Sequence, residues 1–408
     1  MEATSVGAAQ RWGIVIAGGV IMGAALGVRH TQGLFMQPVV VDQGWTREAF
    51  GFAVAIQNLL WGLAQPFTGM VADRYGAGRV VFAGLLVYAS GLFLMADAAS
   101  ASQFTLTNGM LIGLALSGTA FGTVYGALSR IFPADERGWA LAIAGAIGGL
   151  GQFCMVPAVQ GLLDHLHWTA VCSILGVGVA VLSPLAVFLR EPRRPADGPS
   201  GAGSVGAAIR EAFAHRGFWL LNIGFFACGF QLAFIATHMP AYLVDQGLSV
   251  HQGATALACI ALANVFGMYF AGRSIGQLRT KHVLAYAYLT RALAMLVFIS
   301  FPASAAGTYV FAALMGFLWL GTAPLTNDLV VRLFGVRYVA TLFGFVFFGH
   351  QLGSFLGVWL GGYVYDVYRS YDLLWLVSVA VGLIAALLHL GINDVPAVQG
   401  RAVARSRP

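Results

Sequence analysis

Val41-Asp42-Gln43-Gly44 and Val244-Asp245-Gln246-Gly247 are one tetrapeptide written twice, 203 residues apart. At the same offset Gly69 falls on Gly272 without a gap. At an offset of 202, Arg130-Ile-Phe132 meets Arg332-Leu-Phe334, Leu150-Gly151-x-Phe153 meets Leu352-Gly353-x-Phe355, and Asp164 meets Asp366. The two halves of the chain read as parallel copies. Duplicated bundles are one plan by which membrane transporters hold a solute between halves that rock about it. A receptor or an intramembrane enzyme needs no such copy.

Outward from the repeat, apolar stretches of about 20 residues recur between polar or Gly/Pro breaks. They predict spans near 12–35, 48–72, 80–98, 104–128, 139–163, 168–189, 217–243, 252–272, 283–301, 306–330, 340–365 and 373–391. Six spans per copy make an all-α integral membrane protein with twelve transmembrane helices and both termini on one side. Composition agrees, with 59% hydrophobic and 9% charged residues, where a soluble domain carries roughly 25% charged. The 53 glycines suit helices that associate in lipid by close backbone approach.

The basic residues set the orientation. Of 22 Lys and Arg, 18 fall on segments sharing the side of the N-terminus. Arg47 and Arg369 lie in the opposite loops, and Arg29 and Arg291 lie within spans. This bias predicts cytoplasmic termini and accounts for the net charge of +6 without nucleic acid. Residues 1–190 and 217–392 are then the two bundles. Residues 191–216, which follow Arg190, read as a cytoplasmic linker, and 393–408 as a cytoplasmic tail. Cys154, Cys172, Cys228 and Cys259 sit in apolar runs without CxxC spacing, so neither a disulfide nor a metal site is indicated. No clustered basic region precedes Trp12, so the first span is expected to be retained. No P-loop, metal spacing or nucleophile motif stands out, which argues against an enzyme and against any cofactor.

After the second span comes Gly69-Met-Val-Ala-Asp73-Arg74-Tyr-Gly76-Ala-Gly-Arg79. Glycine permits a tight turn at the membrane face, and an Asp at a helix end can pair with a neighbouring helix N-terminus or an arginine. The stretch resembles the signature loop of the major facilitator superfamily. That resemblance implies that Gly69, Asp73, Arg74, Gly76 and Arg79 help to latch a cytoplasmic gate. The second copy, Gly272-Arg-Ser-Ile-Gly276-Gln-Leu-Arg279-Thr-Lys281, keeps basic residues but has Gly276 in place of Asp73. Within the superfamily, Gly27-Val-Arg29-His-Thr-Gln-Gly33-Leu-Phe35, Gly44-Trp45-Thr46-Arg47, Phe226-Ala-Cys-Gly229-Phe230, Thr237-His238-Met-Pro240-Ala-Tyr242 and His350-Gln351-Leu-Gly353-Ser354-Phe355 are similar to the bacterial monocarboxylate-porter and oxalate–formate-exchanger branch. The resemblance covers nearly the whole chain. It implies the major facilitator fold of two pseudo-symmetric six-helix bundles, a bacterial inner membrane, and small organic anions such as carboxylates as substrates. The oxalate exchangers pair an arginine in helix 8 with a lysine in helix 11. Here helix 8 has no basic residue before Arg273 and helix 11 offers His350, so oxalate itself is not expected.

Polar residues within the spans are the candidate site. An arginine at mid-membrane costs about 2.5–3.5 kcal/mol on insertion scales and persists only with a partner or a wet face. Arg29 has Gln32 one turn on and no acidic residue in its span to neutralise it. Its planar fork suits a carboxylate, so it reads as a substrate anchor, or else as a brace to an outer loop. Arg291, in span 9, reads as a tie to a neighbouring helix. His30, His238 (before the kink expected at Pro240) and His350 beside Gln351 offer places for a coupling proton or donors to an anion; the alternative is interhelical hydrogen bonds. Gln152 and Gln231 are the lining candidates at mid-helix, with Asn264 and Tyr125 as further ones. Gln57, Asn58, Gln65 and Asn327 serve as donors or as helix–helix glue. Asp328 is placed for a local pair with Arg332. The whole reads as a monomeric transporter that moves an organic anion across the bilayer by alternating access, with proton symport among its modes. Export of amphipathic compounds is the rival. A non-transporting sensor is disfavoured by the short linker and tail.

Overall fold

Why twelve spans form follows from their ends and from where polar groups are tolerated. The computed structural model describes residues 8–190, 205–275, 277–335 and 338–394. Eleven helices in these residues are long and apolar enough to cross a membrane. The twelfth helix, Arg47–Tyr75, has 29 residues but carries Gln57, Asn58 and Gln65 along its middle. In order, span 1 is Ala8–His30 continued by Gln32–Gln43, span 2 is Arg47–Tyr75, span 3 is Ala77–Ala96, and span 4 runs over 101–131. Span 5 is Ala134–Leu163 and span 6 runs over 168–189. The second copy continues with span 7 (Arg216–Asp245), span 8 (Val250–Ser274), span 9 (Thr280–Ser300), span 10 (305–334), span 11 (Val339–Tyr368) and span 12 (Asp372–Leu390). Each expected span is present. Span 1 runs further than expected, because Pro38 lies inside the helix without ending it.

The repeated tetrapeptide is a helix stop. Gly44 closes span 1 at φ 66° and Gly247 follows span 7 at φ 84°, a left-handed backbone that glycine adopts at little cost. Two residues on, Thr46 and Ser249 cap the next helix, their side chains accepting from Ala49 N at 3.1 Å and Gln252 N at 3.3 Å. Gly76, at φ 93°, makes the turn between spans 2 and 3 at the other face. The described part of the expected linker holds a helix, Val205–Ala214; residues 191–204 and the tail from 395 lie outside the described residues.

Two helices are interrupted at mid-depth. Span 4 winds as a π-helix over Thr105–Leu111 and breaks at Ala120 (φ −90°, ψ −167°). Span 10 breaks between Phe317 and Thr322. Within each half, spans 1 and 5, 3 and 6, 7 and 11, and 9 and 12 pack closely. The halves meet along spans 2 and 11, spans 5 and 8, and the Gly44 end of spans 1 and 7. Spans 7 and 11 approach backbone to backbone: a Cβ on Gly353 or Gly357 would overlap the carbonyls of Phe226 or Phe230.

Candidate functional site

Three polar clusters lie along the junction of the halves. The first is built by spans 1, 2 and 4. Arg29 donates from Nη2 to Asn58 Oδ1, and its guanidinium covers the Trp61 ring at 5.1 Å. Its Nε is buried without a hydrogen-bond partner. Next to it, Gln57 Nε2 donates to Asn108 Oδ1 at 3.0 Å, and Asn108 Nδ2 donates to Gln32 Oε1 at 3.2 Å. Asn108 sits in the π-helical turn of span 4, an irregularity often found at functional sites. His30 points elsewhere, as the 100° step of a helix dictates. Its Nε2 donates to the Leu257 carbonyl of span 8 at 3.1 Å.

The second cluster lies in the other half. His350 Nδ1 donates to Gln351 Oε1 at 3.0 Å, since a carbonyl oxygen can only accept. Its ring lies parallel to Phe347 at 5.8 Å and against Phe225 at 4.7 Å. In the same half the Cys228 thiol takes Arg291 Nη1 at 3.3 Å and meets Thr322 Oγ1 at 3.3 Å. Arg291 also donates to the carbonyls of Leu318 and Trp319 in the break of span 10. It is the structural tie expected of span 9. Asn264 joins the same repair, with Oδ1 accepting from Leu320 N at 2.9 Å.

The aromatic pair Trp61–Phe347, 5.5 Å apart, joins these clusters across the halves. Trp61 touches Arg29 on one side, and Phe347 touches His350 on the other. Gln351 packs onto span 2 one turn beyond Asn58: a Cβ added to Gly62 would sit 2.6 Å from Gln351 Cβ. Arg29 and Gln351 thus both lie against span 2, and His350 is linked to it through Phe347. The others lie elsewhere. Gln231 Nε2 donates to Ser378 O of span 12 at 2.9 Å, and Tyr125 lies over Gly145 of span 5. Gln152 is buried on span 5.

His238 belongs to a third cluster at the Gly44 face. Its Nε2 donates to Val358 O at 2.8 Å, so Nδ1 accepts from the Tyr371 hydroxyl at 3.1 Å. Tyr371 Oη accepts from Arg47 at 3.0 Å, and Arg47 forms a two-pronged bridge to Asp245 at 2.5 and 2.8 Å. The Arg47 guanidinium also lies 3.7 Å over Tyr365. Asp366 accepts from the backbone N–H of Arg47 at 3.2 Å and of Glu48 at 2.6 Å. Sequence reasoning placed Arg47 in an outer loop; it is the buried first residue of span 2. The repeat of Asp42 with Asp245 and of Asp164 with Asp366 was the signal available for this cluster.

At the opposite face, Arg74 and Arg79 are exposed beside the Gly76 turn, and Arg74 lies against Tyr75 at 5.3 Å. Gly69 makes no close approach to another helix. The side chain of Asp73, and Gly276 of the second copy, lie outside the described residues. Asp328 pairs with Arg332 at 2.7 Å as expected, and also takes the Thr280 hydroxyl at 2.5 Å. The inner parts of spans 4 and 10, Phe121–Ile131 and Thr322–Phe334, pack chiefly within their own halves.

A family profile of the Major Facilitator Superfamily matches residues 15–358. The MFS-type transporter YcxA of Bacillus subtilis is 24% identical over 379 residues, 89% of this chain and 90% of that protein. Human monocarboxylate transporter 11 is 25% identical, covering 93% of this chain and 83% of its own length. The oxalate:formate antiporter of Oxalobacter formigenes is 25% identical, covering 86% and 84%. A crystal structure of a bacterial homologue of the human lysosomal transporter Spinster, inward-facing and unoccupied, superposes with a TM-score of 0.77 at 15% identity over 98% of this chain and 99% of that one.

Proposed function

We propose that this chain, which belongs to the major facilitator superfamily, carries a small organic anion, a carboxylate, across the inner membrane by alternating access. The observation that carries this reading is Arg29. Among the described residues no acidic side chain meets it; its partners are an amide oxygen and an aromatic face, and Nε has none. A guanidinium kept at mid-depth without a counter-charge is a standing demand for an anion. The names of the monocarboxylate and oxalate:formate relatives lean the same way.

Alternating access is supported by where the halves touch. They are joined at the Gly44 face and down to Trp61–Phe347, while the inner parts of spans 4 and 10 stay with their own halves. The excess of basic residues at the Gly76 face makes that face cytoplasmic. Residues 1–190 and 217–392 then move as the two bodies. Proton coupling, on this reading, runs through His30 or His350, since His238 is committed to the closed face.

The test is a thermal-shift screen of the purified protein against formate, pyruvate, benzoate, succinate and oxalate, with Arg29→Gln alongside. A ligand at a hundred times its Kd stabilises the folded state by about 2.7 kcal/mol. Stabilisation by a carboxylate in the wild type and its loss in Arg29→Gln is the expected result. Stabilisation only by lipophilic cations or neutral amphiphiles would replace the reading with export. Uptake into proteoliposomes, with and without an imposed pH gradient, tests the coupling.

A further inference from the structure

Arg29 is not the only buried donor left open at the junction. Gln351 Nε2, on a side chain with no exposure, also lacks a partner. The other end of that amide is fixed. Its Oε1 takes the His350 Nδ1–H at 3.0 Å and lies 3.4 Å from the Ser354 hydroxyl. His350 is itself held between Phe347 and Phe225. The two rings and His350 therefore fix the oxygen end of the amide and leave its NH2 end with nothing to donate to.

The side chain that carries this open donor packs on the same stretch of span 2 that Arg29 reaches. Arg29 bonds Asn58 and covers Trp61; Gln351 packs at Gly62, four residues on and so on the face of Asn58. Two side chains with an unpaired donor, one from each half, thus lie against neighbouring positions of one helix. A buried N–H without an acceptor costs about 1–3 kcal/mol, and what would satisfy both is an acceptor with two oxygens. We infer that Gln351 is the second anchor of the carboxylate, supplied by the opposite half from Arg29, and that His350 is the positioning residue that turns its amide nitrogen toward the anion. The inference rests on the anion reading above. It adds a consequence: a carboxylate held this way ties the two halves together, so occupancy and closure of the junction are linked.

The measurement is calorimetric affinity for whichever of formate, pyruvate and benzoate binds the wild type, in Arg29→Gln, Gln351→Met, His350→Phe and the pair His350→Phe/Gln351→Met. Methionine keeps the length that packs on Gly62, and phenylalanine keeps the stack on Phe347. Wild-type-like elution and melting without ligand identify the folded variants. Gln351→Met is expected to weaken binding about tenfold or more, as for loss of a hydrogen bond to a charged group. His350→Phe should weaken it less, and the pair no more than Gln351→Met alone, because on anion affinity His350 acts through Gln351. A purely structural histidine would instead add its effect to that of Gln351→Met. Affinity unchanged within twofold in a folded Gln351→Met, while Arg29→Gln abolishes binding, overturns this inference and leaves the anion reading standing. No binding of any of the three acids to the wild type, with none to succinate or oxalate either, overturns both.

Discussion

Arg29 and Arg291 lie well away from the ends of their spans, and what surrounds each decides what it does. Both leave Nε without a partner, but Arg29 meets only an amide oxygen and a ring, whereas Arg291 is fully buried and spends both Nη groups on Cys228 and on two backbone carbonyls. The repeat explains the second case. Tyr88 and Arg291 stand 203 residues apart, as do Ala25 and Cys228. In the first half Tyr88 Oη donates to Ala25 O at 2.9 Å; in the second, Arg291 makes the corresponding contact to Cys228. Arg291→Met takes away the Leu318 carbonyl's donor and leaves the Trp319 carbonyl only the long contact to the Thr322 hydroxyl at 3.5 Å, at about 1–3 kcal/mol for a stranded group. Its melting temperature in detergent should fall clearly, while Arg29→Gln, which keeps a donor for Asn58, shifts it far less. Equal losses in the two variants would mean that Arg29 is as structural as Arg291. The depth of both residues was legible in the sequence. Their partners were not, because a carbonyl exposed by a helix break has no signature in residue type.

At the level of elements, span boundaries were legible to within a few residues, because capping glycines and polar breaks announce them. The interruptions in spans 4 and 10 were not. The span 4 break has no proline, Pro324 beyond the span 10 break can be read as lying inside a continuous span, and the glycines near the breaks, Gly118, Gly316 and Gly321, do not stand out in a chain with 53 of them. The backbone groups they free are met by side chains, as irregular structure at membrane depth requires. Ser117 O accepts from Gln65, Thr68 and Thr123 at 3.2, 3.2 and 3.0 Å, and Leu320 N donates to Asn264. Asn264, read from sequence as a lining residue, therefore holds a break. Asn264→Leu strands one buried N–H and should destabilise by about 1–3 kcal/mol, with carboxylate affinity of the folded protein changed less than twofold. A large loss of affinity at unchanged melting temperature would return Asn264 to the pathway. Span 2 is the converse lesson: polar residues along its middle weaken its signal as a membrane helix, and the same residues mark it as the helix both halves share.

At the scale of the whole molecule the duplication supplies a latch twice over. Asp366, at the end of span 11, accepts the first backbone N–H groups of span 2. Asp164, its counterpart 202 residues earlier at the end of span 5, lies 3.8 Å from His251 at the start of span 8. His251 in turn stands 203 residues after Glu48. Each half thus ends a helix with a carboxylate against the helix start of the other, where an anion gains about 0.3–1 kcal/mol, and up to about 2 when partly buried. Arg47–Asp245 adds a charge-assisted, two-pronged bond at the same face. The equivalence of the two aspartates was visible in the sequence. That Asp366 closes this face was not, because a carboxylate bound to main-chain N–H groups needs no partner residue that a sequence could show. Thr237, buried where span 7 meets Gly33 of span 1, can report on that closure. Thr237→Cys should react slowly with a membrane-impermeant maleimide added from outside. Asp366→Asn in that background should speed the reaction about tenfold, the shift that about 1.4 kcal/mol produces. Adding Asp164→Asn should speed it further, since the two latches are separate. Equal rates in all three proteins, with transport unchanged, would mean that the face is shut by its apolar packing and that the paired carboxylates only cap helices.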